Sequence, residues 1–201
     1  MMNIKDITTK LSLEEVSSTR RSMLKYALFA TVANSLIGKA MAETTSISKS
    51  DQNISIENFA IDGKSQGGSR VSKVVKSDIE WRKQLSAEAF HVTRHDGTEA
   101  PFTGKYWNNH ANGIYRCICC DTALFDSKTK FESGTGWPSF WQSISSVNVI
   151  KSIDNSLGMQ RDAISCHRCD AHLGHVFDDG PKPTGLRYCM NSVALNFIPQ
   201  V

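Results

Sequence analysis

The chain has 201 residues, of which 40% are hydrophobic, 21% charged and 8% aromatic. That is the balance of an ordinary globular protein, neither disordered nor fibrous. No apolar run approaches the ~20 residues a membrane-spanning helix needs, which excludes a multi-span membrane protein. The formal net charge of +3 resides in the N-terminus: residues 1–42 hold six Lys/Arg against three Asp/Glu, and basic and acidic residues are equal in number over 43–201. A basic nucleic-acid-binding domain is therefore not expected.

The first segment reads as an address. Arg20-Arg21 stand directly before a short, mildly apolar stretch from Tyr26 to Gly38, followed by Lys39 and then Ala40-Met41-Ala42. A charged lead, a short apolar centre and a small-x-small exit are the parts of a signal peptide. The paired arginines resemble a twin-arginine signal. Residues 1–42 are thus expected to direct export to the periplasm, or to anchor the chain at a membrane if they are not cut. An amphipathic core helix over 22–37 is the alternative. Residues 43–76 are rich in Ser, Lys, Gly, Asn and Gln, with their apolar residues scattered singly, and are expected to be a flexible linker. The folded unit is expected over 77–201, one domain's worth of chain.

Trp81 and Leu85, four apart after Ser77-Asp78, predict a short helix capped by one of those two residues. Ser86 is placed to cap a second helix through Ala87–His91. After Pro101 the helical period disappears. Short, partly alternating runs follow at 114–117, 123–125, 147–150, 159–164, 175–177 and 193–197, separated by Gly, Pro, Asp and Asn. This pattern predicts a mainly β (α+β) domain with short helices at its front.

All six cysteines fall within that unit. Cys117-x-x-Cys120 and Cys166-x-x-Cys169 have the spacing that lets two sulfurs of one turn face a single ion, and two such turns make a tetra-thiolate zinc site. A disulfide framework is the alternative in an exported protein. Export of an already folded, metal-loaded chain favours zinc. With four thiolates no position is left for water, so the ion would be structural and hold the fold together. Cys119 is expected to be a bystander in the first knuckle.

Cys189 has no partner at ligand spacing. In an alternating strand Arg187, Cys189 and Asn191 share a face, and a thiol between a guanidinium and an amide is expected to have a lowered pKa and be nucleophilic. A buried core cysteine is the alternative. His172 and His175 directly follow the second knuckle and suit proton transfer near neutrality; they are otherwise metal ligands or turn residues. Trp137, in the glycine-bracketed turn Gly134-Thr135-Gly136-Trp137-Pro138, is a candidate pocket wall or a core residue. Asp178 and Asp179 either orient a histidine or face solvent.

Cys117-x-x-Cys120, Gly134–Phe140, Cys166-x-x-Cys169, His172–Phe177 and Arg187–Ser192 occur in that order, and together they closely resemble methionine sulfoxide reductase B over residues 78–199. The resemblance implies two antiparallel sheets with short N-terminal helices and one structural Zn2+ on Cys117, Cys120, Cys166 and Cys169. It implies Cys189 as the nucleophile attacking methionine-R-sulfoxide and becoming a sulfenic acid. His175, helped by His172, would protonate the sulfoxide oxygen and Trp137 would cradle the S-methyl group. Arg187, Asn191 and Asp179 would tune the charge around Cys189. Oxidised methionine residues in exported proteins would be the substrate, and the chain is expected to act as a monomer. Many family members carry a resolving cysteine where this chain has Thr135. Without it, an external thiol reductant of the thioredoxin type is expected to restore Cys189, Cys119 being the only internal candidate. A non-enzymatic zinc-knuckle module that binds a peptide or protein is the rival reading.

Overall fold

The computed structural model describes residues 52–200; the expected signal peptide, residues 1–42, lies outside them. Two short helices open the domain. The first, α1 (Asp78–Gln84), is started by a reciprocal cap: Ser77 Oγ accepts the Glu80 N–H, and the Glu80 carboxylate accepts the Ser77 N–H at 2.8 Å. The second, α2 (Ala87–Arg94), begins at Ser86, whose Oγ accepts the Ala89 N–H at 3.1 Å, and runs three residues past the expected end. It buries Ala89, Phe90, Val92 and Thr93, the stripe that faces the core. Among the described residues no helix is long and apolar enough to cross a membrane.

Nine strands follow. A three-stranded sheet has β3 (Gly113–Cys117) at its centre, with β4 (Ala123–Asp126) on one side and β11 (Leu195–Pro199) on the other. A six-stranded sheet runs β5 (Lys130–Phe131), β6 (Ser139–Phe140), β10 (Arg187–Met190), β9 (His172–Phe177), β8 (Arg161–Cys166) and β7 (Val149–Asp154) in spatial order. Every pairing is antiparallel. The two sheets share one core in which Phe125 stacks on Phe140 at 4.5 Å between ring centroids, and Tyr115 meets Phe140 edge-on at 5.0 Å. Offset and edge-on arrangements suit the ring quadrupoles. The runs expected as strands at 147–150, 159–164 and 193–197 start with non-strand residues: a 3-10 turn occupies Ser146–Asn148 and another Ser192–Ala194, and β8 begins only at Arg161.

The flexible linker expected over 43–76 is corrected within its described part. Residues from 53 onward form a hairpin, β1 (Asn53–Phe59) and β2 (Ser65–Ser72), which is a third sheet beside the expected two. The turn is closed at Gly63, whose φ of 79° suits glycine. Little of the hairpin is buried apart from Ile56, which is why its composition looks unstructured. The anchor comes from far along the chain. The amide of Asn148, fully buried, accepts the Glu57 N–H at 2.8 Å and donates to the carbonyls of Glu57 and Ala123, each at 2.9 Å. An ion pair from Lys73 to Asp170 and a 2.8 Å bond from the Val74 N–H to the Arg168 carbonyl fasten the exit of the hairpin to the second cysteine turn.

Candidate active site and metal centre

The two cysteine turns are geometric copies. In the β3–β4 turn the Asp121 N–H donates to the Cys117 carbonyl at 2.9 Å, and in the β8–β9 turn the Asp170 N–H donates to that of Cys166, also at 2.9 Å. Both aspartates have left-handed backbones, with φ of 61° and 56°, a conformation Asp tolerates better than most residues. Each turn thereby points two sulfurs the same way. Cys117 Sγ lies 3.6 Å from Cys169 Sγ and Cys120 Sγ 3.5 Å from Cys166 Sγ, and all four are within 4.8 Å of one another. A tetrahedron with metal–sulfur bonds of ~2.3 Å has sulfur–sulfur edges of ~3.8 Å, so the quartet fits a tetrahedral ion. All four thiols are unpaired, against the disulfide alternative. The cluster can hold a metal ion, and His172 and His175 are not part of it. Cys119 is buried against it, with Cys117 and Cys169 as its sulfur neighbours.

The nucleophile candidate lies in the other part of the six-stranded sheet. Cys189 on β10 is directly opposite His175 on β9, so both side chains emerge on the same face as cross-strand neighbours. They line a cavity of about 180 Å³ together with Trp137, Phe177, Arg161 and Thr98. Gly174, at φ 153°, lets β9 pass close behind, since a Cβ there would lie 2.1 Å from the Cys189 carbonyl oxygen. Thr135 Oγ1 stands 3.9 Å from Cys189 Sγ and belongs to a chain of hydroxyls, 2.8 Å to Ser133 and from there 2.7 Å to Ser139.

The expected lowering of the Cys189 pKa is corrected. Burial outweighs the opposing pull of Thr135 and Arg187, and the thiol is pushed up. The Arg187 guanidinium is held by Asp179 through two bonds of 2.9 and 2.8 Å, and it lies over the Phe177 ring. Asp179 therefore orients an arginine and not a histidine. Asn191 borders the cavity, yet both ends of its amide are committed to the scaffold: Oδ1 accepts the Glu99 N–H at 2.9 Å and Nδ2 donates to the Leu173 carbonyl at 3.1 Å.

His172 sits behind His175, ring edge to ring face at 5.3 Å, and does not line the cavity. Burial, then the neighbouring His175, push its pKa down. His175 itself is held by a residue that sequence reasoning missed. Its Nε2 lies 2.8 Å from Asp154 Oδ2. Asp154 also accepts the Ser156 N–H at 2.8 Å and an Arg161 N–H at 2.7 Å, and these partners hold its carboxyl well below the usual carboxylate range. The available signal was Asp-x-Ser, the pattern of a carboxylate bonding the backbone two residues on.

Glu99 was missed as well. Its carbonyl accepts the Trp137 Nε1–H at 3.1 Å, and its buried carboxylate accepts the N–H groups of Ser192 and Val193 at 2.7 and 3.0 Å. One residue therefore ties the aromatic wall to the segment that follows β10. Burial raises its pKa despite these bonds. Next to it Phe102, with φ of 64°, donates its N–H to the Gly136 carbonyl at 2.8 Å.

A thiol and an imidazole face one another in a small aromatic-walled cavity, apart from the four-cysteine cluster, an arrangement suited to nucleophilic and acid–base chemistry. Residues 85–199 match the SelR domain model. A peptide methionine sulfoxide reductase MsrB from Herminiimonas arsenicoxydans is 57% identical over 125 residues, 62% of this chain and 91% of that one. An MsrB from Pseudomonas putida is 55% identical over 130 residues, 65% of this chain and 98% of that one. The chloroplastic peptide methionine sulfoxide reductase B1 of Arabidopsis thaliana is 58% identical over 120 residues, 59% of each chain. The chain belongs to the SelR-domain family, that of the MsrB peptide methionine sulfoxide reductases.

Proposed function

We propose that this protein is a thiol-dependent reductase of methionine-R-sulfoxide in polypeptides. The observation that carries the reading is the cross-strand placement of Cys189 and His175 in one cavity beside Trp137. In the reaction the sulfoxide oxygen leaves the substrate sulfur and ends on Cys189 Sγ. The substrate sulfur gains the two electrons that the cysteine sulfur loses. The thiol proton ends on the new sulfenic acid, and the other product is methionine. His175 supplies the proton that the oxygen needs while its bond breaks. Trp137 and Phe177 offer apolar surface to the methyl group. Arg187 stands beside the developing thiolate.

The sulfenic acid is then attacked by an external thiol, releasing water and leaving a mixed disulfide that a second thiol resolves. Two features support external reduction: Thr135 presents a hydroxyl to Cys189, and Cys119 is buried against the metal cluster. The cluster would hold Zn2+ on Cys117, Cys120, Cys166 and Cys169, a closed structural site that links the two sheets. Export by a twin-arginine route, repair of exported proteins and action as a monomer complete the reading. They rest on the N-terminal sequence and the family resemblance.

The test is turnover of a dabsyl-methionine-R-sulfoxide and its S epimer with dithiothreitol, by the full chain and by Cys189→Ser. R-selective turnover lost in the variant is expected. A folded, metal-loaded wild type that turns over neither epimer would favour a non-enzymatic binding module. Recycling by a thioredoxin-like reductant is expected to be equal in wild type and Cys119→Ser; a selective loss in the variant would restore the internal route.

A further inference from the structure

His175 has two ring nitrogens, and only one of them is spoken for. Its Nε2 is bound to Asp154, the one hydrogen bond its ring makes among the described residues, and the ring lines the cavity beside Cys189. A neutral imidazole carries one proton and chooses between two tautomers; the partner at one nitrogen decides where that proton sits. Here the partner is fixed by backbone geometry. Asp154 closes β7, directly across from Arg161 at the start of β8. One of its carboxylate oxygens accepts the Ser156 N–H of the connecting turn, and the other accepts both Arg161 Nη2–H and the imidazole. Arg161 also donates to Ser156 Oγ at 3.0 Å, closing the turn on itself. The carboxylate is 21% exposed and its imidazole partner 11%. Little water competes for the bond, and the arginine supplies the counter-charge that keeps Asp154 ionised.

We propose that Asp154, held by Ser156 and Arg161, is a positioning residue for the reduction: it keeps the His175 proton on Nε2 and reserves Nδ1 for proton exchange with the substrate oxygen. The proposal rests on the reductase reading above. With the imidazolium in place, Nδ1–H gives its proton to the oxygen as the sulfur–oxygen bond breaks. The ring is left in the Nε2–H form that Asp154 accepts, and the thiol proton of Cys189 replenishes Nδ1, so no proton is gained or lost overall. Asp154 stays ionised throughout and touches neither substrate nor sulfur. Cys189 and Nδ1 then present to one substrate from adjacent strands, and the turn at the far end of the β7–β8 hairpin determines which nitrogen is used.

The test uses the full chain with Asp154→Asn. A single amide oxygen cannot accept from Ser156 on one side and from Arg161 and His175 on the other, so the amide nitrogen must face one donor or turn the imidazole to its other tautomer. The expected result is a fall in kcat on the order of 10²-fold in single-turnover sulfenic acid formation, with KM within about twofold of wild type. Nitrogen-15 histidine spectra are expected to show His175 as the Nε2–H tautomer in wild type and as the Nδ1–H form or a mixture in the variant. Unchanged kcat, or a rise in KM alone, overturns the proposal. So does an Nδ1–H tautomer in wild type, which decides the matter even if the variant does not fold. A wild type without turnover overturns the reductase reading instead, and the tautomer spectrum then tests the positioning role separately.

Discussion

For an ion held by the four-cysteine cluster as proposed, removal should cost the fold a calculable amount. The cluster joins the β3–β4 turn to the β8–β9 turn, so it closes loops of 46 residues from Cys120 to Cys166 and 52 from Cys117 to Cys169. Closing a loop of that size removes chain entropy from the unfolded state worth about 4 kcal/mol on the relation used for covalent cross-links, and only one of the nested loops is counted because they close together. The intrinsic metal–sulfur affinity adds to this, so about 4 kcal/mol is a floor. With a urea slope of about 2 kcal/mol per molar, chelation should lower the unfolding midpoint by about 2 M. The assay is urea unfolding followed by tryptophan fluorescence, with and without prior treatment by a high-affinity chelator under reducing conditions. Metal release is measured on the same samples. The loss should fall on the whole domain, because the core residues Tyr115 and Phe140 belong to different sheets that the cluster fastens. If the metal leaves and the midpoint moves by less than about 0.3 M, the cluster does not staple the sheets and the reasoning fails.

Asn148→Ala deletes three hydrogen bonds, one of them to the carbonyl of buried Ala123. It should cost about 3 kcal/mol, with amide exchange over residues 53–72 accelerating more than in β8 and β9; equal acceleration in both regions would contradict a local anchor. Asp179→Asn removes the carboxylate that occupies Arg187 and raises the Cys189 pKa. The pH profile of Cys189 alkylation should shift to lower pH, and a profile that stays in place or rises refutes the electrostatic account. Glu99 has a pKa raised above its ordinary 4.5 in the folded state. The unfolded chain therefore ionises first, and the contribution of this group to stability is present below 4.5 and lost as pH rises through the folded pKa. Wild type should lose stability relative to Glu99→Gln across that interval, as read by unfolding at a series of pH values, and an opposite slope would show that the backbone bonds outweigh burial.

What was legible in the sequence was local. Both helix caps and the two cysteine turns are set by residues a few positions apart, and the structure realises them where the sequence places them; the expected alternation covers Arg187 and Cys189, but β10 ends at Met190, before Asn191. What was missed depends on residues brought together across the chain. The β1–β2 hairpin has few apolar side chains to signal it and is secured by Asn148, 91 residues from Glu57. The partner of His175 was sought in Asp178 and Asp179 because they follow it closely, whereas sheet register brings Asp154 to it. The pKa of Cys189 went the other way because its flanking residues are visible in sequence and its burial is not.

Glu99 and Phe102 lie in the segment between α2 and β3, outside the sheets, yet they hold the two sides of the cavity. The separation between Trp137 and the end of β10 is thus gauged by a connector and not by strand pairing. Such a connector can be lengthened or stiffened without disturbing a ladder of hydrogen bonds. The width of the mouth offered to different polypeptides is in this way an adjustable property of the architecture, while the thiol, the imidazole and the cysteine cluster remain where the strands put them.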